Sequence, residues 1–173
     1  MVYLFPYHQS LLKTRLSPQE ITERLEEVTG QPKSFRQRLK PREKEYGTSV
    51  FSGEVHPKHF KLRRIIDYRN SFLPVISGEI VKDFNHTHVY LTFRLSTFVY
   101  IFDALWLGSV LLVNIIIIYM YFTLDKPSFT LPALIPVFML LFGYLLSVIP
   151  FTYEVNKAKK ILMKLWEAEE VEA

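Results

Sequence analysis

The chain predicts an α+β fold. A small antiparallel sheet with one packed helix comes first, followed by a two-helix transmembrane hairpin and a C-terminal helix. Three observations lead there. Two stretches nearly rhyme, VFSGEV (Val50–Val55) and VISGEI (Val75–Ile80), and each is followed by a strand-like run, HFKLRRII and HVYLTFRLS. The same hairpin is thus written twice. Two long apolar runs then follow each other with no charge inside them, from Ala104 to Leu124 and from Pro127 to Tyr153. Finally, SPQEITERLEEVTG carries start and stop signals for a single helix.

Taken in order, SLLKTRL (Ser10 to Leu16) reads as a strand. The helix over 18–29 has Ser17 as N-cap, Pro18 at the first helical position and Glu20 closing a capping box. Its apolar stripe is Ile21, Leu25 and Val28, and Gly30 sits where a C-cap belongs. Residues 31–48 read as a mobile basic loop: Lys33, Arg36, Arg38, Lys40, Arg42 and Lys44 face only Glu43 and Glu45, and two prolines interrupt the segment. Four strands follow as a meander, over 49–55, 59–67, 74–82 and 87–97. In the last, Val89, Leu91, Phe93 and Leu95 share one face.

The same period puts Gly53 and Gly78 on the inward face, between Phe51 and Val55 and between Ile76 and Ile80. A strand glycine weakens a sheet unless another element approaches closely. The simplest expectation is that the helix 18–29 crosses the sheet there. The alternative is a small-ligand pocket over the bare backbone.

Each apolar run satisfies the requirement of about 20 residues for crossing ~30 Å of hydrocarbon. Only Asp125 and Lys126 separate them, so they form a hairpin with both flanks on one side. A buried helical pair in a soluble protein would be a poor use of two such runs. The N-terminal MVYLFPYHQS lacks the basic start and long apolar core of a secretory signal. Of the 21 lysines and arginines, 16 precede the first run, 4 follow the second, and Lys126 alone lies in the turn. The positive-inside rule then puts both termini in the cytoplasm. Expected domains are residues 1–97, a hairpin over 98–152 and a cytoplasmic helix over 153–173. That last helix either docks on the sheet, the simpler expectation, or lies along the membrane with Trp166 at its surface.

Strand 87–97 runs into the first span, so in a meander the turn DYRNSFLP also faces the membrane. Tyr68, Arg69 and Phe72, with Arg36, Arg38, Lys40 and Arg42 of the basic loop, make a candidate contact for anionic lipid. An ordinary turn built on Asn70, Ser71 and Pro74 is the plainer reading. The opposite end gathers His56, His59, His86 and His88, in His-x-x-His and His-x-His spacings that suit a transition metal if the two pairs converge. With no cysteine there are no disulfides, thiol nucleophiles or thiolate sites. There is no glycine-rich phosphate loop, G-x-S-x-G or H-E-x-x-H motif. Asn114 alone in the first span suits an interhelical hydrogen bond. Ten of the 26 aromatic residues lie in the two apolar runs, and anionic lipid accounts for the basic charge more economically than nucleic acid does.

The run RRIIDYRNSFLPVISGEI, preceded by FSGEV and followed by the apolar hairpin, resembles a loose group of small bacterial two-helix membrane proteins of uncharacterised function. That resemblance implies a bacterial inner membrane and a cytoplasmic α+β portion, and it lends no catalytic residues. The expected function is a non-enzymatic, lipid-facing or partner-binding module that needs no cofactor. Its expected partners are anionic lipids and a membrane protein or a second copy of the chain. Two alternatives remain at this stage: a ligand sensor with a pocket over Gly53 and Gly78, and a histidine-based metal-dependent protein.

Overall fold

In a computed structural model, residues 5–30, 49–123 and 134–171 are described. The elements in chain order are β1 (Tyr7–Thr14), α1 (Pro18–Glu27), β2 (Thr29–Gly30), β3 (Phe51–Val55), β4 (His59–Arg64), β5 (Val75–Asp83) and β6 (His86–Arg94). Two long helices follow, α2 (Thr97–Thr123) and α3 (Ile135–Leu165), and the short strand β7 (Glu169–Val171) closes the series. Among the described residues the fold is mixed α+β, a seven-stranded sheet in the order β2-β3-β4-β5-β6-β1-β7 with three helices.

The four-strand meander forms as its alternation requires: β3, β4, β5 and β6 pair antiparallel in sequence order. Strand β1 joins antiparallel beside β6, with Leu12 opposite Val89 and Ser10 opposite Leu91. The capping box of α1 is made: Glu20 N–H donates to the Ser17 hydroxyl, and Ser17 N–H donates to the Glu20 carboxylate at 2.7 Å. That backbone bond holds the Glu20 carboxyl below its ordinary value. The helix stops before Gly30, with Val28 as C-cap, because residues 29 and 30 leave to pair parallel with β3. This parallel pair is the departure from an all-antiparallel sheet.

The C-terminal region differs most from expectation. No separate helix spans 153–173. Helix α3 runs unbroken through Pro150 to Leu165, and the chain then reverses into β7. The cause is one buried stripe on α3: Gly143, Ser147, Phe151, Val155, Ala158 and Leu162 at spacings of three or four residues. Before Pro150 this stripe faces α2, where Gly143 leaves room for the Trp106 ring. Beyond Pro150 it enters the sheet core with Leu12, Leu62, Ile76, Ile80, Leu91 and Phe93. Docking on the sheet is therefore observed, through a continuation of the second apolar helix. Thr14 and Arg24 donate to the Trp166 and Leu165 carbonyls at 2.6 and 3.0 Å, satisfying groups that the end of a helix leaves bare. Glu167, at φ 49°, turns the chain.

The two strand glycines do face inward, and the groups nearest to them come from β4. A Cβ at Gly53 would overlap the Lys61 carbonyl oxygen and stand 2.9 Å from Leu62 Cα, so the glycine allows close approach of β4. A Cβ at Gly78 would overlap the tip of the Phe60 ring, which packs on Trp166 at 5.7 Å between centroids. Phe60 occupies the space that a ligand over Gly78 would need.

Replacing either glycine by alanine should therefore lower stability by about 1–3 kcal/mol, the usual cost of overpacking. Phe60→Leu should restore part of the loss in Gly78→Ala but none of it in Gly53→Ala, since backbone cannot be trimmed. Denaturant unfolding of the four variants in detergent checks this.

Candidate functional site

The strand register fixes which groups gather at each end of the sheet. Arg63 pairs with Val75, Val75 with Arg94, and Arg94 with Tyr7. This row lies at the end from which α2 departs, since only Leu95 and Ser96 separate Arg94 from Thr97. We call it the hairpin end. The β5–β6 turn lies at the far end, eight residues of β6 away, or about 27 Å at ~3.4 Å per residue.

At the hairpin end, a buried ionic cluster joins the sheet to α3. Glu154 has no solvent access, yet it lies only four residues beyond Pro150. Arg64 Nε donates to Glu154 Oε2 at 2.7 Å, with the Arg64 side chain 7 % exposed. The Tyr68 hydroxyl donates to the other carboxylate oxygen. Both oxygens are thus engaged, as a buried carboxylate requires. Desolvation, then the hydrogen bond to Glu154 and its charge, push the Tyr68 phenol up to about 12. Its hydroxyl points inward while its ring stays half exposed at the rim.

Other aromatic residues surround that rim. Phe5 and Tyr7 at the start of β1, Phe98, Tyr100 and Phe102 at the start of α2, and Tyr153 on α3 are all exposed. Arg69 and Arg94 are exposed among them. Along α2 the exposed side chains turn aliphatic, from Leu105 to Ile118, and become aromatic again at Tyr119, Tyr121 and Phe122. Tyr100 and Tyr121 lie about 32 Å apart at 1.5 Å per residue. The two long helices have mean hydropathies of 2.3 and 2.0 over their most apolar windows, of which only 11 % and 28 % is buried. Both are long and apolar enough to cross a membrane.

Of the residues singled out from sequence, Tyr68 and Arg69 stand exposed at the hairpin end, as the meander argument required. Phe72 turns partly inward against the core instead, with its N–H donating to Asn70 Oδ1 at 2.9 Å. Arg36, Arg38, Lys40 and Arg42, with the rest of loop 31–48, lie outside the described residues. Gly53 and Gly78 serve packing. At the far end the imidazoles of His56 and His59 are 4.7 Å apart, while His88 faces Asp83 at 3.6 Å. His59 sits level with Tyr90 through Glu79, so His86 is four residues further along the sheet and two strands over. The two pairs do not converge. Among the described residues, no three of His, Asp and Glu form a group able to hold a metal ion.

Two features were missed from sequence. Glu154 looked like an ordinary residue after the second span; only its position next to Pro150 on the buried stripe marks it. β7 was also missed, although Glu170 ties it down by accepting from Ser10 at 2.8 Å and from Lys159 at 2.7 Å. Burial raises the Glu170 carboxyl, but these bonds and the Lys159 charge outweigh it and hold the group below its ordinary value.

No family model, curated protein or solved structure matches this chain.

Removing one partner of the buried pair should be costly. Arg64→Met leaves the buried Glu154 carboxyl without its cationic partner, and about 3–5 kcal/mol of stability should be lost. The double variant Arg64→Met/Glu154→Met should recover most of it, measured by thermal unfolding in detergent. The Tyr68 phenol should ionise near pH 12, visible as the difference between ultraviolet titrations of wild type and Tyr68→Phe. A phenol raised in the folded state keeps its full stabilising effect below pH ~10, the unfolded value, and loses it as pH rises toward 12.

Proposed function

We propose that this chain is an integral membrane protein whose sheet domain works seated on the bilayer surface, as a non-enzymatic lipid-facing module. The observation that carries the reading is the arrangement of aromatic residues. Exposed rings circle the hairpin end of the sheet, a second set lies about 32 Å further along α2, and aliphatic side chains fill the interval. That spacing matches a hydrocarbon core of ~30 Å with an aromatic belt at each interface.

The buried Glu154 cluster supports the same reading from the other side. It ties the β4–β5 turn to α3, so the rim of the sheet is held against the helices rather than swinging on a linker. The distribution of basic residues supports a cytoplasmic position for both flanks. The loose resemblance noted from sequence favours a bacterial inner membrane. Anionic lipid is the partner that this charge and these rings fit best.

The chain has no cysteine, which makes the test direct. Single cysteines at Tyr7, Arg69 and Tyr100, and at Lys58 and Phe84 of the far end, would carry spin labels in lipid nanodiscs. Labels of the first group should show headgroup-depth accessibility to oxygen and a water-soluble nickel chelate. Labels of the second group should behave as fully aqueous. Equal aqueous exposure of both groups would sink the proposal.

A further inference from the structure

At the far end of the sheet, the β3–β4 connection brings two imidazoles together. The register of these strands pairs Val55 with Phe60. One step further along, it sets His56 opposite His59, and the His56 N–H donates to the His59 carbonyl at 2.9 Å. Residues directly opposite in an antiparallel ladder project to the same side. Phe60 lies in the core, so its neighbour His59 projects outward, and His56 with it. The two ring centres are 4.7 Å apart, with their planes tilted by 40°. Only Pro57 and Lys58 link the pair, and Pro57 fixes one backbone angle of that link. Both histidines are exposed.

We propose that His56 and His59 form a two-imidazole binding site for a divalent transition-metal ion of the Cu²⁺, Ni²⁺ and Zn²⁺ class. An imidazole nitrogen binds such an ion at ~2.1 Å, so two imidazoles in adjacent positions on one ion have ring centres about 5 Å apart. That separation is already present in the ladder pair. Closing on an ion then needs rotation of the side chains and no movement of the backbone, which keeps the ordering cost low. Nitrogen donors suit these metals, whereas Mg²⁺ and Ca²⁺ take oxygen ligands. The charge around the pair does not oppose a dication. Glu79 stands opposite His59, and Glu54 opposite Lys61, so that two carboxylates offset Lys58 and Lys61. Water, or a donor from outside the chain, fills the remaining positions on the ion. Convergence with His86 and His88 is not required.

The test is titration of Cu²⁺, and separately of Ni²⁺, into the full chain in mild detergent, purified without a histidine tag. Electron paramagnetic resonance of the Cu²⁺ complex then identifies the ligands. Wild type should bind one Cu²⁺ per chain ahead of any further ion, and the spin-echo modulation should report two imidazoles. Cu²⁺ should bind more tightly than Ni²⁺, and Mg²⁺ should not compete. His56→Asn and His59→Asn should each lower the Cu²⁺ affinity on the order of a hundredfold, because the second imidazole of a pair acts at high effective concentration. His86→Asn/His88→Asn should bind the first ion as wild type does. The wild-type spectrum tests the site by itself, even if a substitution disturbs the turn.

A first ion held by a single imidazole would overturn the site. So would a first ion that neither His56→Asn nor His59→Asn weakens, or one that is lost from the His86/His88 variant instead. The pair lies at the opposite end of the sheet from the hairpin, so this inference goes beyond the lipid-facing reading and stands or falls without it.

Discussion

A carboxyl group without access to water needs hydrogen-bond donors brought to it, and Glu154 is such a group. Its position on α3 is set by the helix, which runs without interruption from the apolar hairpin into the core. Arg64 at the end of β4 and Tyr68 in the following turn must therefore meet it where it stands. This requirement fixes the end of β4 against α3, and through the strand register it fixes the level of β5, β6 and β1 as well. An apolar trio could hold the same joint with equal strength. An ionic one tolerates far fewer alternative alignments, because any slip leaves a buried charge unpaired.

The continuity of α3 has a second consequence. One stripe serves two environments, facing α2 before Pro150 and the sheet after it. Proline cannot donate to the Leu146 carbonyl, so the backbone ladder is weakest at this changeover. The helix persists because packing on both sides restrains it: Trp106 against Gly143 on one side, and Phe151 and Val155 in the sheet core on the other. The apolar hairpin and the sheet core therefore share one element instead of being joined by a linker.

The sheet is chemically polar along its strands. Aromatic rings and arginines collect at the hairpin end, while histidines, Lys58, Lys82 and the fully exposed Phe84 collect at the other. Phe84 also adopts φ 29°, a conformation that costs an aromatic residue energy, at the first position of a two-residue turn that usually belongs to glycine. The apolar core lies between the two ends, under α1 and α3.

Local patterns in the sequence determined much of this structure. The meander, the capped helix α1, the two apolar helices and the inward direction of Gly53 and Gly78 all follow from periods and caps within short windows. The order of the ends follows too, because a strand that leads into an apolar helix must point toward it. Tertiary structure decided what those windows could not contain. The reason for each glycine lies on β4, eight or more residues away, as a carbonyl and a phenyl ring that no period reveals. β7 is three exposed residues held by Ser10 and Lys159, with no pattern of its own. The pairing of Glu154 with Arg64 and Tyr68 joins positions about ninety residues apart, and opposite charges at that separation carry no signal in one sequence. Contacts of this kind exist only once the sheet and α3 have met, because burial is what turns two ordinary charged residues into a lock.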